Sequence, residues 1–77
     1  MSIGSPESDT SGARLLAFKE VLDEPGILMA DLSGRVQELT GLSRATVAQL
    51  LVELETEGHL AGSEAGGHAI YRPGRAH

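Results

Sequence analysis

The chain has 77 residues and a formal net charge of −5 at pH 7, with six basic side chains against eleven acidic ones. A chain of this length forms one small domain, and its excess of carboxylates argues against a broad basic surface for nucleic acid. It contains no cysteine, which excludes disulfides, thiolate nucleophiles and cysteine-ligated zinc.

The first twelve residues, MSIGSPESDTSG, are rich in serine and glycine. We expect residues 1–12 to form a flexible tail, because they have too few apolar side chains to pack. They also lack the basic and apolar regions of a secretion signal. No apolar run in the chain approaches the roughly 18 residues of a membrane span. The sequence therefore predicts a cytoplasmic protein that does not enter a membrane.

The first helix is predicted over residues 13–24, where apolar residues recur at helical spacing. The predicted buried side contains Leu15, Phe18 and Leu22, with Leu16 and Val21 beside them. Ser11 is the predicted N-cap. The Glu-Pro-Gly that follows ends the helix, because proline disfavours the helical conformation of the residue before it.

A second helix is predicted from about Asp31 to Thr40. Its predicted inward side chains are Leu32, Val36 and Leu39. Asp31 and Ser33 are both candidates for its N-cap. The Ile-Leu-Met before it, residues 27–29, is too short for a helix and is predicted to form one brief strand.

A short corner joins the second helix to the third and contains the residue types that such a corner needs. Gly41 accommodates a positive φ, Leu42 fills the corner and Ser43 caps the next helix. The third helix is predicted over residues 44–57, and Gly58 ends it. Its inward side chains recur at i, i+3, i+4 and i+7 and are Val47, Leu50, Leu51 and Leu54.

Two stretches with β-compatible residues follow the third helix, His-Leu-Ala-Gly-Ser and His-Ala-Ile-Tyr-Arg. A linker of about four residues, Glu-Ala-Gly-Gly, separates them and predicts a hairpin over residues 59–72. Residues 74–77 are expected to fray. The predicted fold class is therefore α+β, mainly α, with three helices and a C-terminal β-hairpin.

The stretch GLSRATVAQLLVELETEGHL, residues 41–60, resembles part of the DNA-binding domains of the DeoR-like and IclR-like bacterial repressors. The shared pattern is a G-L-S-x-x-T-V corner followed by an L-x-x-L-E-x-E-G helix end. The resemblance covers roughly residues 13–73 and implies a winged helix-turn-helix fold. It implies that the third helix enters the major groove of double-stranded DNA, that the hairpin is a wing, and that the chain regulates transcription.

The resemblance places the DNA-facing side chains in the first half of the third helix. They are Ser43, Arg44, Ala45, Thr46, Ala48 and Gln49. Helical geometry independently puts Ala45, Gln49 and Val52 opposite the buried side. Gln49 is suited to adenine, and Arg44 to guanine or a phosphate. The methyl groups of Ala45 and Thr46 are suited to thymine.

Four arginines fall on segments that would face a duplex, and they are Arg35, Arg44, Arg72 and Arg75. The acidic residues concentrate elsewhere, in the tail, late in the first helix and in the second half of the third. So few phosphate contacts predict weak, salt-dependent binding by one copy. A homodimer is therefore the expected working form.

The alternative function is a winged-helix module that binds a protein partner through its acidic surface and the uncharged strip around Val52. An enzyme is not expected, because no catalytic constellation or phosphate-binding loop occurs in the sequence. Three histidines without a cysteine do not predict a metal site, and no cofactor is expected. The glutamates of the third helix are predicted to form a solvated face.

Overall fold

The computed structural model describes residues 10–74, and residues 1–9 and 75–77 lie outside that range. Its elements are α1 (Ser11–Asp23), β1 (Ile27–Leu28), α2 (Met29–Thr40), α3 (Arg44–Thr56), β2 (Leu60–Ala65) and β3 (His68–Pro73). The predicted order of three helices followed by a hairpin is confirmed. The expectations of a tail over 1–12 and a frayed end over 74–77 fall mostly outside the described residues.

One aliphatic core lies between the three helices and the sheet. The predicted buried side of α3 is confirmed, because its four side chains are each at most 4% exposed. These are Val47, Leu50, Leu51 and Leu54. The other elements add Ile27, Leu32, Val36, Leu60 and Tyr71. The third helix thus supplies the centre of the core.

Helix α1 packs by a different side from the predicted one. Its buried side chains are Ala13, Ala17 and Val21. By contrast, Leu15 is 68% exposed and Leu22 is 48% exposed, while Phe18 is half-buried at the edge of the core. The prediction that Leu15 and Leu22 are buried is therefore wrong. The buried residues recur at i, i+4 and i+8 and are small, so the α1 backbone can approach the core closely.

The starts of two helices also differ from the prediction. Helix α1 begins at Ser11 and has no side-chain cap, so Ser11 is not its N-cap. Helix α2 begins at Met29, directly after β1, so neither Asp31 nor Ser33 is its N-cap. Asp31 lies in the first turn, where the positive end of the helix dipole stabilises its negative charge. The prediction that Leu39 is buried is wrong, since it is 59% exposed.

The corner between α2 and α3 forms as predicted. Gly41 has a φ of 75°, in the left-handed region that favours glycine. Leu42 packs against the core. The Ser43 Oγ accepts a hydrogen bond of 3.2 Å from the Thr46 amide and caps α3. This cap fixes where α3 begins and therefore which side chains its first turn presents.

The sheet is antiparallel and has the order β1-β3-β2. The two residues of β1 pair with Tyr71 and Ile70, a pairing that the sequence does not predict. The hairpin turns at Gly66 and Gly67, whose φ values of 60° and 83° are both positive. Such a two-residue turn strongly favours glycine, and it is shorter than the predicted linker of about four residues. The hairpin spans 60–73, one residue later than predicted.

Candidate nucleic-acid interface

The outer side of α3 is formed mainly by small, uncharged side chains. Ala45, Ala48 and Val52 are exposed and follow each other at i, i+3 and i+7, so they share one side of the helix. We call these three side chains the methyl row. Arg44 and Gln49 are also exposed and lie beside it. A partner that approaches α3 from outside therefore meets methyl groups first.

Ser43 and Thr46, both predicted to face DNA, are engaged in the cap of α3. The Ser43 Oγ accepts from the Thr46 amide, and the Ser43 hydroxyl donates to the Thr46 Oγ1 over 2.9 Å. The two hydroxyls thus satisfy each other and the start of the helix without any ligand. Their first role is to hold the first turn of α3 in place.

Gln49, the predicted adenine reader, also has a partner within the protein. Its Nε2 donates to the Oε2 of Glu53 over 3.4 Å. This exposed hydrogen bond is long and therefore weak. It occupies one of the two N–H donors of the Gln49 amide and leaves the carbonyl oxygen without a partner from Glu53.

The acidic second half of α3 is held by an arginine of α1. The Arg14 Nη1 lies 3.0 Å from the Oε1 of Glu53, and the Arg14 Nη2 contacts Glu57. One guanidinium thus contacts two carboxylates that the sequence predicts to be only solvated, and it offsets one of their two negative charges. The sequence gives no sign of this contact, because Arg14 and Glu53 are 39 positions apart.

Arg35 faces α1 rather than the outer side of α3. Its Nη1 lies 3.0 Å from Glu20 and 3.3 Å from Glu24. The hydrogen bond that Arg35 donates to Glu20, followed by the one that it donates to Glu24, raises the pKa of Arg35 above its ordinary value. A contact between Arg35 and a phosphate would require its release from both carboxylates.

Arg72 lies near the base of the hairpin. It is paired with Ala61, and the glycine turn is four residue pairs further along the ladder. Because side chains alternate along a strand, Arg72 lies on the opposite side of the sheet from Tyr71. Arg75 falls outside the described residues. Among residues 10–74, Arg44 is the one arginine on the outer side of α3, so the predicted arginines do not converge there.

A groove runs from Arg44 between α2, α3 and the sheet. Its lining includes Ser33, Gln37, Arg44, Ala48, Val52 and Tyr71. The Gln37 Nε2 donates to the Ser33 Oγ over 3.2 Å. Sequence reasoning misses this contribution of α2. The spacing of i and i+4 between Ser33 and Gln37 is the only sequence signal that could have indicated it.

Glu55 lies where α3 passes close to the hairpin. A Cβ atom on Gly62 would lie 2.7 Å from the Glu55 Oε2, so a side chain at this position of β2 would require the flexible Glu55 carboxylate to move. Tyr71 pairs with Gly62 across the ladder. Burial, and secondly the negative charge of Glu55, raise the pKa of Tyr71 above its ordinary value. Tyr71 is therefore uncharged at neutral pH where it lines the groove.

The histidines do not come together. His59 packs edge-on against Phe18, with ring centroids 6.1 Å apart, and His68 is exposed at the start of β3. His77 lies outside the described residues. Within residues 10–74, no group of three His, Asp or Glu side chains is placed to hold a metal ion. No helix in that same range is long and apolar enough to cross a bilayer.

The arrangement of these elements matches that of a solved protein domain. The solution structure of the DNA-binding domain of the repressor BlaI superposes with a TM-score of 0.71. The match covers 84% of this chain and 79% of that domain. The chain is a winged helix. In this fold α2 and α3 form the helix-turn-helix, and the β2–β3 hairpin is the wing.

The sequence comparison is less informative than the structural one. The chain and the BlaI domain are 22% identical, which supports a shared fold and no more. No protein-family model matches the chain, and no curated protein matches it. The predicted winged helix-turn-helix is therefore confirmed at the level of fold. The finer resemblance to the DeoR-like and IclR-like repressors stays a prediction.

Proposed function

We propose that this winged helix binds double-stranded DNA as a small bacterial transcriptional regulator in the cytoplasm. In this proposal α3 enters the major groove, and the β2–β3 hairpin is a wing against the neighbouring backbone. The observation that carries it is the outer side of α3, which is exposed, uncharged and free of bulky side chains, with Arg44 at its N-terminal end. Such a helix fits a major groove about 12 Å wide.

The fold supports the same proposal. The BlaI domain that this chain resembles is a DNA-binding domain of a repressor. By analogy, Ala45, Ala48 and Gln49 would face the bases and Arg44 a guanine or a phosphate. Ser43 and Thr46 would fix the first turn of α3 beside the DNA backbone.

The remaining predicted contacts are with phosphates. Arg72 and Arg75 would approach the backbone beside the wing. Arg35 is the weakest of these assignments, because Glu20 and Glu24 already hold it. One or two phosphate contacts for each chain predict a slope of log K against log salt of about −1 to −2. Such weak binding favours a homodimer on two half-sites, which would double the slope.

Titration of labelled duplex DNA with the full chain, from about 50 to 200 mM salt, tests this proposal. We expect binding that weakens as salt increases. Arg44→Gln should lower the affinity; a phosphate contact by Arg44 would also reduce the size of the salt slope by about 1, whereas a guanine contact would relax specificity at that base. Lys19→Gln is the matched control, because it removes the same charge from the exposed side of α1.

Two results would contradict the proposal. One is no binding to any duplex at the lowest salt concentration. The other is an equal loss of affinity in Arg44→Gln and Lys19→Gln, which would mean that only net charge matters. Circular dichroism of both variants would show that the fold is retained.

A second candidate function, binding to a protein, is favoured by the exposed leucines of α1. Leu15 and Leu22 are 68% and 48% exposed on one side of that helix. Large apolar side chains grouped on a surface are typical of protein contacts. Sedimentation of the wild type and of Leu15→Gln/Leu22→Gln tests whether the contact is with a second copy. A wild-type dimer that becomes a monomer in the variant would assign the leucines to the homodimer.

A further inference from the structure

Few polar groups on the outer side of α3 are available to read bases. The hydroxyls of Ser43 and Thr46 bond to each other, and the Gln49 amide bonds to Glu53. Among residues 10–74, Arg44 is the strong hydrogen-bond donor on this side that has no partner within the protein. Hydrogen-bonded readout by α3 therefore depends mainly on the Arg44 guanidinium and on the amide groups of Gln49 that Glu53 leaves free.

The methyl row is the main apolar group on the outer side of α3. Val52 is 55% exposed, and Ala45 and Ala48 are exposed with it. At a rise of about 1.5 Å per residue, the seven steps from Ala45 to Val52 span about 10 Å. That length corresponds to about three base steps of about 3.4 Å. The row is therefore long enough to contact several consecutive base pairs.

The size of these side chains favours DNA over a protein as the partner. Anchors of protein interfaces are usually tryptophan, tyrosine or arginine, which fill pockets of the partner. No side chain of the methyl row is larger than valine. Moreover, Arg14 offsets one of the two negative charges of Glu53 and Glu57, while Arg44 adds a positive charge at the N-terminal end of the row. The end of the row beside Arg44 is therefore the part that attracts a polyanion.

We infer that α3 recognises thymine through its C5-methyl group, with the methyl row as the contact surface. The C5-methyl of thymine is the apolar group that the major groove presents, and alanine side chains are among those that contact it. Arg44 then reads an adjacent guanine or fixes the backbone. The preferred site contains two or three thymines within about three base steps. This inference rests on the proposed function.

The test uses duplexes that the full chain enriches from a random pool. In the enriched sequence each thymine is replaced in turn by deoxyuridine, which keeps the base pair and removes only the C5-methyl. Each contacted thymine should contribute about fourfold to affinity, the effect of burying one methyl-sized group. The salt slope should stay unchanged, because the substitution leaves every phosphate in place.

Variants of the methyl row assign the contacts. Val52→Thr keeps the shape of the side chain and replaces one methyl with a hydroxyl, and Ala48→Gly removes a methyl. In each variant, the deoxyuridine effect should shrink at one thymine and persist at the others. Leu15→Ala is the control, because Leu15 is 68% exposed on α1 and lies outside the proposed interface with DNA. It should leave every deoxyuridine effect unchanged.

The outcomes separate this inference from the proposed function. If no duplex is enriched, the proposed function fails and the inference fails with it. If an enriched duplex binds equally well with thymine and deoxyuridine, the inference is overturned while DNA binding stands. A deoxyuridine effect that none of the methyl-row variants changes would also overturn it, because the readout would then be of DNA shape.

Discussion

Helices α1 and α3 distribute their large and small apolar side chains in opposite ways. Helix α3 buries one valine and three leucines, and its outer side presents two alanines and Val52. Helix α1 buries Ala13, Ala17 and Val21, and its outer side presents Leu15 and Leu22. The two helices have similar lengths and both contact the core, so the difference lies in which side each one turns inward.

Because of this difference, the buried and the outer side chains of each helix have different roles. The large buried side chains of α3 supply stability, whereas its small outer side chains let another surface approach the helix backbone. In α1 the small buried residues allow close packing, and the large outer residues leave apolar surface exposed. Changes on the outer side of α3 should therefore affect binding much more than folding. The following predictions test this separation, from the largest expected effect to the smallest.

Truncation of a leucine should have very different effects in the two helices. Leu50→Ala removes a side chain that is 2% exposed and should destabilise the protein by about 2 to 5 kcal/mol. Leu15→Ala removes one that is 68% exposed and should change stability by about 0.5 kcal/mol or less. Urea unfolding followed by circular dichroism measures both. Similar losses of stability in the two variants would mean that Leu15 packs against the core.

Replacing an alanine with a larger residue should affect the two helices differently, because Ala17 is buried in α1 whereas Ala48 is exposed on α3. Ala17 is fully buried, so Ala17→Leu should overpack the contact of α1 with the core and cost about 1 to 3 kcal/mol. Ala48→Leu lies on the outer side of α3 and should leave stability nearly unchanged while it weakens duplex binding. The pair is measured by urea unfolding and by duplex titration. A stable Ala17→Leu variant would contradict the close packing of α1.

Removal of Arg14 should affect binding more than stability. Arg14→Gln leaves Glu53 and Glu57 without their cation, so duplex affinity should fall because α3 becomes more negative. Stability should change by at most about 1 kcal/mol, the usual range for partly exposed ion pairs. Lys19→Gln is the control, since it removes one positive charge from the exposed side of α1, outside the proposed interface. Equal effects of the two variants on affinity would show that the position of the charge does not matter.

The smallest effect concerns Tyr71, whose pKa is raised by burial and by Glu55. Its neutral form is favoured in the folded state. The stability that Tyr71 contributes by favouring its neutral form is therefore fully present at pH values below about 10, its pKa in the unfolded chain. This stability is lost as the pH rises through the pKa of Tyr71 in the folded protein. Tyr71→Phe should lack this alkaline loss. Urea midpoints of wild type and variant, compared at neutral pH and above about pH 10, measure the difference.

The local features of the fold could be predicted from the sequence. The buried side of α3 follows a full helical repeat of aliphatic residues, and Gly41 and Ser43 act within one turn of their own positions. The side of α1 that packs inward could not be predicted in this way. That helix has two apolar sides, and hydrophobicity favours Leu15 and Leu22, whereas the space beside the core admits the smaller Ala17.

The electrostatics of the site depend on contacts between distant parts of the chain. Nothing near Arg44 in the sequence indicates that Arg14 offsets Glu53, or that Arg35 is held by Glu20. Counting arginines on segments that face a duplex therefore overestimates the positive charge beside α3. Exposure of the outer side of α3 is easier to predict, because it follows directly from the side that is buried.

Amide chemical shifts of the labelled full chain, recorded during titration with an enriched duplex, test the central claim most directly. If α3 enters the major groove, the largest changes should occur from Arg44 to Val52, with smaller changes in the hairpin and almost none from Ala13 to Leu22. Changes concentrated on α1, with α3 unaffected, would contradict the account, because the duplex would then not contact the outer side of α3.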